Sequence, residues 1–239
     1  MSECPCADDC LFADGEWKPD LLTDAGRNPP DLPLNWRSLI TLAVPPQRRQ
    51  AYECRYLVEL KVERPARKTA ICQQAEGTVY SATETIQAIV GPLVFGTKPA
   101  TWTALRLLYD NLDRPIYYFK RVFSRGRPFM CCEDVEPMYP KGAPFYPAHP
   151  AYPSGHSTQA HALAYFYARL FPQLTDKLLA AAADIALNRE VAGLHYPSDS
   201  LAGKLLAGQV VDLLLQAANF KAAAIAAAAD WPGARTDLL

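Results

Sequence analysis

The chain is short of several things, and each shortage excludes a class of protein. Its formal net charge is −1, from 24 Lys+Arg against 25 Asp+Glu. No global field therefore draws it to nucleic acid or to an anionic membrane surface, and any anion site must come from a local cluster of bases. A charge-free apolar run of about 18 residues, the least a membrane span needs, is missing. The longest apolar stretch, Val210 to Ala229, is interrupted by Asp212, Gln216, Asn219 and Lys221. The acidic start, Met-Ser-Glu-Cys-Pro-Cys-Ala-Asp-Asp-Cys, lacks the basic n-region and apolar h-region of a secretory signal. These absences predict a soluble, cytoplasmic protein with no stable membrane insertion, or a periplasmic one if a leader has been removed. Strand signals are scarce, and no repeat of about 20–50 residues recurs.

Cysteine is present but in odd number: Cys4, Cys6, Cys10, Cys54, Cys72, Cys131 and Cys132. An odd count without a signal predicts mostly reduced thiols. Cys4, Cys6 and Cys10 raise the prospect of a metal clip. No partner histidine lies near them and the pair-plus-pair spacing of a zinc site is absent, so a loose acidic tail is expected instead.

What is present is helical periodicity. Half of the 239 residues are hydrophobic, enough for a sizeable core. Residues 1–35 are rich in Pro, Asp and Asn without a period, and are expected to be an irregular segment lying on the body. Gln47 to Glu63 has helix-like spacing, Pro65 opens a further helix that Gly77 closes, and Thr78 to Phe95 is strongly apolar. From Lys98 to Phe123, Leu105, Leu108, Leu112, Ile116, Phe119 and Phe123 recur at three- and four-residue steps. Pro115 must kink that helix or restart it after Asp113. Pro128 to Pro153 is proline-rich and aperiodic, a long ordered loop of the kind that usually carries function. Three Ala- and Leu-rich segments follow. The first places Ala160, Leu163, Ala164, Tyr167 and Leu170 on one face. The second does so with Leu178, Ala182, Ile185 and Arg189, and the third with Leu201, Leu205, Gly208, Val211 and Leu215. No linker divides the chain. The expected architecture is all-α, a single-domain helical bundle over residues 36–239 with a long loop before its central motif.

Three short motifs stand in order near predicted helix ends: Lys120-x6-Arg127-Pro128, Pro153-Ser154-Gly155-His156, and Arg189-x5-His195-x3-Asp199. A proline and a glycine just before an apolar helical run place Ser154, Gly155 and His156 at a helix's first turn. Backbone N–H groups there have no intrahelical partner, and the dipole favours an anion. The first motif supplies two cations. In the third, Arg189 falls on a buried helix face, where a guanidinium needs an anion. The bland alternatives are an exposed helix charge for Lys120, a satisfied loop histidine for His195 and a helix cap for Asp199, which can also orient His195. His156 and His161 are five residues apart and do not share a helix face, so His161 is expected to pack in the core or a pocket wall rather than to bind metal with His149. Arg121 and Arg125 are expected to be solvated or to form an anion-attracting rim. Phe129, Tyr139, Phe145, Tyr146 and Tyr152 could equally line a leaving-group pocket or pack the loop.

Together the motifs, between residues 120 and 199, resemble the signature of the type 2 phosphatidic acid phosphatase superfamily. That superfamily includes the bacterial class A non-specific acid phosphatases, whose layout is the nearest, and the vanadium-dependent haloperoxidases. The resemblance covers roughly Thr78 to Leu215. Arg114-Pro115 is a second Arg-Pro, but Leu107 stands where its lysine would be. One position departs from the pattern: Asn188 replaces the serine usual before the third-motif arginine, which predicts retuned phosphate contacts.

The resemblance implies a metal-independent acid phosphatase acting on phosphate monoesters. Lys120, Arg127 and Arg189 would grip the phosphoryl oxygens, with Ser154, Gly155 and the N–H of His156 completing the cradle. His195 would be the nucleophile, Asp199 its orienter, and His156 the acid and base. No cofactor is implied, vanadate being an inhibitor. In the alternative of a haloperoxidase, vanadate would be the cofactor. A soluble lipid or isoprenyl phosphate phosphatase is a further alternative. The expected partner is a small-molecule phosphate ester, without nucleic acid, and a homo-oligomer stays open.

Overall fold

The computed structural model describes residues 10–76, 80–93 and 96–239. Their regular structure is helical, with one isolated bridge, Leu11 to Arg125, in place of any sheet. Short α1 (Pro19–Asp24) and α2 (Trp36–Leu39) precede α3 (Gln50–Leu60), α4 (Arg64–Glu76) and α5 (Tyr80–Val90). Then come α6 (Pro99–Phe123), short α7 (Pro128–Cys131), α8 (Gly155–Leu170), α9 (Thr175–Val191), α10 (Pro197–Leu214) and α11 (Ala218–Ala229). The closing role expected of Gly77 lies outside the described residues, as do Cys4 and Cys6.

Helix α6 runs unbroken through Pro115. The missing N–H and the ring clash cost about 3 kcal/mol. Against that, Leu105, Leu108, Leu112, Ile116 and Phe119 are all buried on one face. Each contributes about 1.5–3 kcal/mol, so packing outweighs the proline and the helix need not restart. Helix α8 is apolar nearly all round, with Ala160, Ala162, Leu163, Ala164, Phe166, Tyr167 and Leu170 buried. That pattern belongs to a central helix, and α5, α6, α9 and α10 all pack on it. Arg189 lies on the buried face of α9 with Leu178, Ala182 and Ile185, as its spacing predicts.

The expectation for the third Ala- and Leu-rich segment needs two corrections. It breaks between Leu214 and Ala218, where α10 and α11 meet at a 94° bend, and no single helix among the described residues is long and apolar enough to cross a membrane. Its inward face is only partly the one predicted: Val211 and Leu215 are buried, but Leu201 and Leu205 are 58% and 51% exposed, while Ala202, Gly203, Leu206, Ala207 and Val210 are buried. Small residues select that face. A Cβ on Gly203 would stand 2.6 Å from the Ser154 carbonyl oxygen and 2.8 Å from Ser157 Cβ. Only glycine lets α10 come this close to the first turn of α8. Gly203→Ala is expected to cost about 1–3 kcal/mol by overpacking, read as a melting temperature lower by about 2–12 °C. An unchanged melting temperature would show that the two helices separate freely.

Residues 10–35 are less irregular than expected. Pro19 occupies the first turn of α1, where its missing N–H is harmless, and Phe12, Trp17, Ala25 and Leu32 are buried. The expectation of mostly reduced thiols is also corrected. Cys10 bonds Cys131 and Cys54 bonds Cys132, leaving Cys72 free among the described residues. Parity restrains only the total, and here the adjacent Cys131 and Cys132 reach in different directions, one to the N-terminal segment and one to α3. Such bonds typically contribute about 2–4 kcal/mol each. Denatured, unreduced protein should gain four thiols on reduction; finding all seven titratable beforehand would dismiss both bonds.

Candidate active site

A cavity of about 420 Å³ opens between α6, α8, α9, the segment 145–149 and α1. Lys120, Arg127, Gly155, His156, Arg189 and His195 line it, so six of the eight motif residues singled out converge on one space. Asp199 stands behind His195, and Ser154 behind the first turn of α8.

His195 is buried, held on both sides. Its Nδ1 lies 3.2 Å from Asp199 Oδ2, and its Nε2 lies 2.9 Å from Arg127 Nη1. Arginine can only donate, so Nε2 is the lone-pair nitrogen and Nδ1 carries the proton, which it donates to Asp199. Burial, then the cations Arg127, Lys120 and Arg189, hold the imidazole well below its ordinary value. The ring is neutral, with its lone pair toward the cavity cations. Asp199 also accepts from the Tyr196 backbone N–H at 2.9 Å as part of a capping box, so capping and orienting occur together.

The three cations are not equivalent. Lys120 is fully buried, and its Nζ donates to the carbonyls of Pro150, Ala151 and Pro153 at 2.7, 3.1 and 2.7 Å. All three of its protons are therefore engaged. It ties α6 to the loop before α8 and lends the cavity its charge. Arg127 is also buried and donates to the carbonyls of His149 and Leu194, at 3.0 and 2.9 Å, besides His195 and His149 Nδ1. Burial first of all lowers it to about 9. Arg189 differs. It is 3% exposed, and its Nε and Nη1 have no hydrogen-bond partner among the described residues. Leaving a buried charged donor unpaired costs about 1–3 kcal/mol or more.

Ser154 is the N-cap of α8, its Oγ accepting from the Ser157 N–H at 3.4 Å. It is fully buried and does not line the cavity, whereas Gly155 and His156 do. The Nε2 of His156 donates to the Gln74 carbonyl at 3.1 Å, which leaves Nδ1 as its acceptor. Burial and then Arg189 lower its pKa to about 3. Asn188 does not reach the cavity: its Oδ1 accepts from Arg67 at 2.9 Å and its Nδ2 donates to Gln74 Oε1 at 3.2 Å. The expectation of retuned phosphate contacts is thus replaced by a role in holding α4, whose Gln74 anchors His156.

Arg125 corrects another expectation. It is no rim charge but is 4% exposed and bonded to Asp199 and Glu53. Arg121 is exposed, as expected. His161 packs in the core with Nδ1 2.8 Å from the Ser157 carbonyl. No cluster suited to a metal appears among the described residues. Phe145 and Tyr146 line the cavity, while Tyr152 packs on Phe123 and donates to the Ala43 carbonyl. Residues that sequence patterns did not single out complete the wall. Asp113 and Tyr117 come from α6 and Gln159 from α8, with Gln159 donating to Asp113 at 3.1 Å, and Lys18 and Asp20 from the N-terminal segment. Asp113 and Gln159 lie one turn or two from Lys120 and His156 on the same faces, a signal the spacing carried.

Residues 95–222 match the model of the PAP2 superfamily. An acid phosphatase of Zymomonas mobilis is 31% identical over 125 residues, covering 49% of this chain and 43% of that protein. A lipid A 1-phosphatase of Rhizobium johnstonii is 41% identical over 63 residues, 26% of each chain. Another, of Rhizobium etli, is 40% identical over 58 residues, 24% of this chain and 25% of that one. The matches span less than half the length of each of these relatives.

Proposed function

The chain belongs to the PAP2 superfamily, and from that membership we propose that it hydrolyses phosphate monoesters of small molecules through a phosphohistidine on His195. The observation that carries this reading is Arg189, a buried guanidinium with two unpaired donors beside a neutral histidine whose lone pair faces the same space. A phosphoryl group satisfies both: its equatorial oxygens take the arginine's planar donors, and its phosphorus meets the imidazole.

In the reaction, Arg189 and the first-turn N–H groups of α8 hold the oxygens. Arg127 turns from His195 Nε2 to an oxygen and frees the lone pair. Nε2 attacks phosphorus in line, the ester P–O bond breaks, and the leaving alkoxide takes a proton from His156. Asp199 stabilises the charged phosphoimidazole through Nδ1–H. His156 then takes a proton from water, which attacks phosphorus and returns His195. Lys120, Arg127 and Arg189 supply the positive charge that the transition state needs.

The proton on His156 has a source that dictates the pH dependence. With a pKa near 3 in the free enzyme, His156 is neutral at ordinary pH. The leaving group's proton therefore arrives either on the substrate monoanion, whose remaining proton is lost with a pKa of about 6, or from Asp113 in the cavity wall, whose carboxyl burial raises to about 6. Both sources lose their proton near pH 6, so kcat/KM should be level from about pH 4 to 6 and fall about tenfold per unit above that. Glycerol 2-phosphate in the presence of chelator is the test. Release with this profile supports the reading; a profile level to pH 8 would remove His156 from proton delivery. Vanadate, which binds as a five-coordinate mimic of the phosphoryl-transfer transition state, should inhibit. Bromide oxidation with vanadate and peroxide, without phosphate release, would move the assignment to the haloperoxidase branch. The two disulfides suit an oxidising compartment rather than the cytoplasm.

A further inference from the structure

We propose that Glu53 and Arg125 are positioning residues of this site, which together keep Asp199 effectively anionic toward His195; the inference rests on the phosphohistidine reading above. The geometry is a chain of charges. Asp199 divides its oxygens: Oδ2 faces His195 Nδ1 and the Tyr196 N–H, and Oδ1 receives Arg125 Nη1 at 2.6 Å. Arg125 Nη2 continues to Glu53 Oε2 at 3.1 Å, and its guanidinium lies 3.8 Å from the centre of the Tyr196 ring. Glu53 is fixed in turn by Ser198, whose N–H reaches Oε1 at 2.8 Å and whose Oγ reaches Oε2 at 2.9 Å. That N–H is one of the donors that the first turn of α10 leaves unpaired. The side chains of Arg125, Glu53 and Asp199 are 5%, 7% and 0% exposed, so water screens these charges little.

The charge sum explains why three groups are needed. Asp199 alone would be a buried anion supported by weak donors. Asp199 with Arg125 would be a neutral pair, and its field at His195 would be largely cancelled. Glu53 restores the sum to one negative charge while Arg125 keeps Asp199 fixed in direction. Phosphorylation of Nε2 makes the imidazole ring cationic, so the step gains from a negative group at Nδ1 and loses if that group is neutralised. The next carboxyl, Glu190, is held up to about 7 by burial and then by Asp199 and Glu53, so in the acid range it is neutral and leaves the sum unchanged. The remaining charges facing Asp199, Lys120 and Arg127, lie on the cavity side and act on the phosphoryl group.

The test is Glu53→Gln in the full chain, which keeps the shape and removes the charge. We expect kcat to fall tenfold or more with KM within about threefold of the wild type. A merely structural role would move KM and the melting temperature in step. The double variant Glu53→Gln/Arg125→Gln returns the sum to one negative charge and should recover most of the lost kcat. An unchanged kcat in Glu53→Gln overturns the proposal, as does a double variant slower than the single one. Should Glu53→Gln not fold, Ser198→Ala removes a hydroxyl donor from the same carboxylate; a fall in kcat of about fivefold supports the pair and an unchanged kcat overturns it. If the wild type hydrolyses no monoester, the proposed function fails on its own. The pair is then decided by phosphoramidate, which phosphorylates histidine with no ester leaving group. Slower labelling of His195 in Glu53→Gln supports the pair, and equal labelling overturns it.

Discussion

Turnover of p-nitrophenyl phosphate falls by about four to six orders of magnitude in His195→Ala, the size of loss seen when a covalent nucleophile is removed. The expectation follows from what else lines the cavity. His156 turns its Nε2 to the Gln74 carbonyl, and its other nitrogen is needed for proton transfer. The Nδ1 of His149 is occupied by Arg127 at 2.9 Å. Burial raises the phenol of Tyr117 beyond the reach of ordinary pH, so it stays protonated and weakly nucleophilic. Burial and then Arg127 lower Lys120 well below its ordinary value, but its Nζ is spent on three backbone carbonyls and presents no free lone pair. Asp113 accepts from Gln159 and is held largely protonated in the acid range by burial, so no neighbour among the described residues is placed to inherit the attack and the residual rate comes from oxyanion binding. The measurement is product release under conditions where vanadate still protects the variant against heat. Retained turnover with intact vanadate binding would falsify the assignment of His195 and point to direct attack by water.

Part of this site was legible in the order of residues and part was not. Arg189 could be placed because α9 has a simple face: Leu178, Ala182 and Ile185 define the buried side, and an arginine at the next step must share it. His195 and Asp199 could be placed because four residues bring them together across the start of a helix, with Tyr196-Pro197 as its opening signal. Glu53 and Arg125 could not. Glu53 lies on a helix of alternating charges and tyrosines, where a buried carboxylate and a solvated one look alike. Its partners are 72 and 145 residues away. Arg125 sits between the motif residues Lys120 and Arg127 with no period to assign its direction. Only the pairing of residues 10–12 with 124–126 turns it inward, through the Phe12 and Gly126 backbone bonds to Ser124 and Cys10.

The first turns of α10, though not Val211 and Leu215 at its end, were misjudged for a related reason. Leucine spacing marks where side chains could be buried, but the closest helix contact is made where side chains are smallest. At Gly203 the backbone of α8 is the neighbour, so Ala202, Gly203 and Ala207 face inward and Leu201 and Leu205 are left outside. The disulfides were hidden because parity argues about the whole set, whereas each bond depends on the approach of two segments. Cα separations of 5.6 and 6.5 Å at Cys10–Cys131 and Cys54–Cys132 exist only once α3 and the N-terminal segment fold onto residues 124–132.

Arg189→Met is expected to separate activity from stability in opposite directions. The guanidinium is buried with two donors unpaired, and burial lowers it to about 10, the mark of a charge held in an unfavourable place. Replacing such a charge with an apolar side chain of similar volume is often stabilising by about 1–4 kcal/mol, so the melting temperature should rise by several degrees. Removing a preorganised donor that faces the transition state costs about 10²–10³ in kcat. Inorganic phosphate distinguishes this from simple repacking. In the wild type, phosphate at about 100 times its Kd should stabilise by about 2.7 kcal/mol, because it answers the unpaired donors. In Arg189→Met most of that gain should vanish, since Lys120 keeps its protons on three carbonyls and only the Arg127 donor that turns from His195 is left beside the first-turn N–H groups of α8. A variant that melts lower than the wild type, yet is still stabilised by phosphate to the same extent, would mean that Arg189 is a structural cation and that the anion is held elsewhere. The opposite outcome, a more stable and inactive protein blind to phosphate, makes Arg189 the point where the fold gives up stability to hold its substrate.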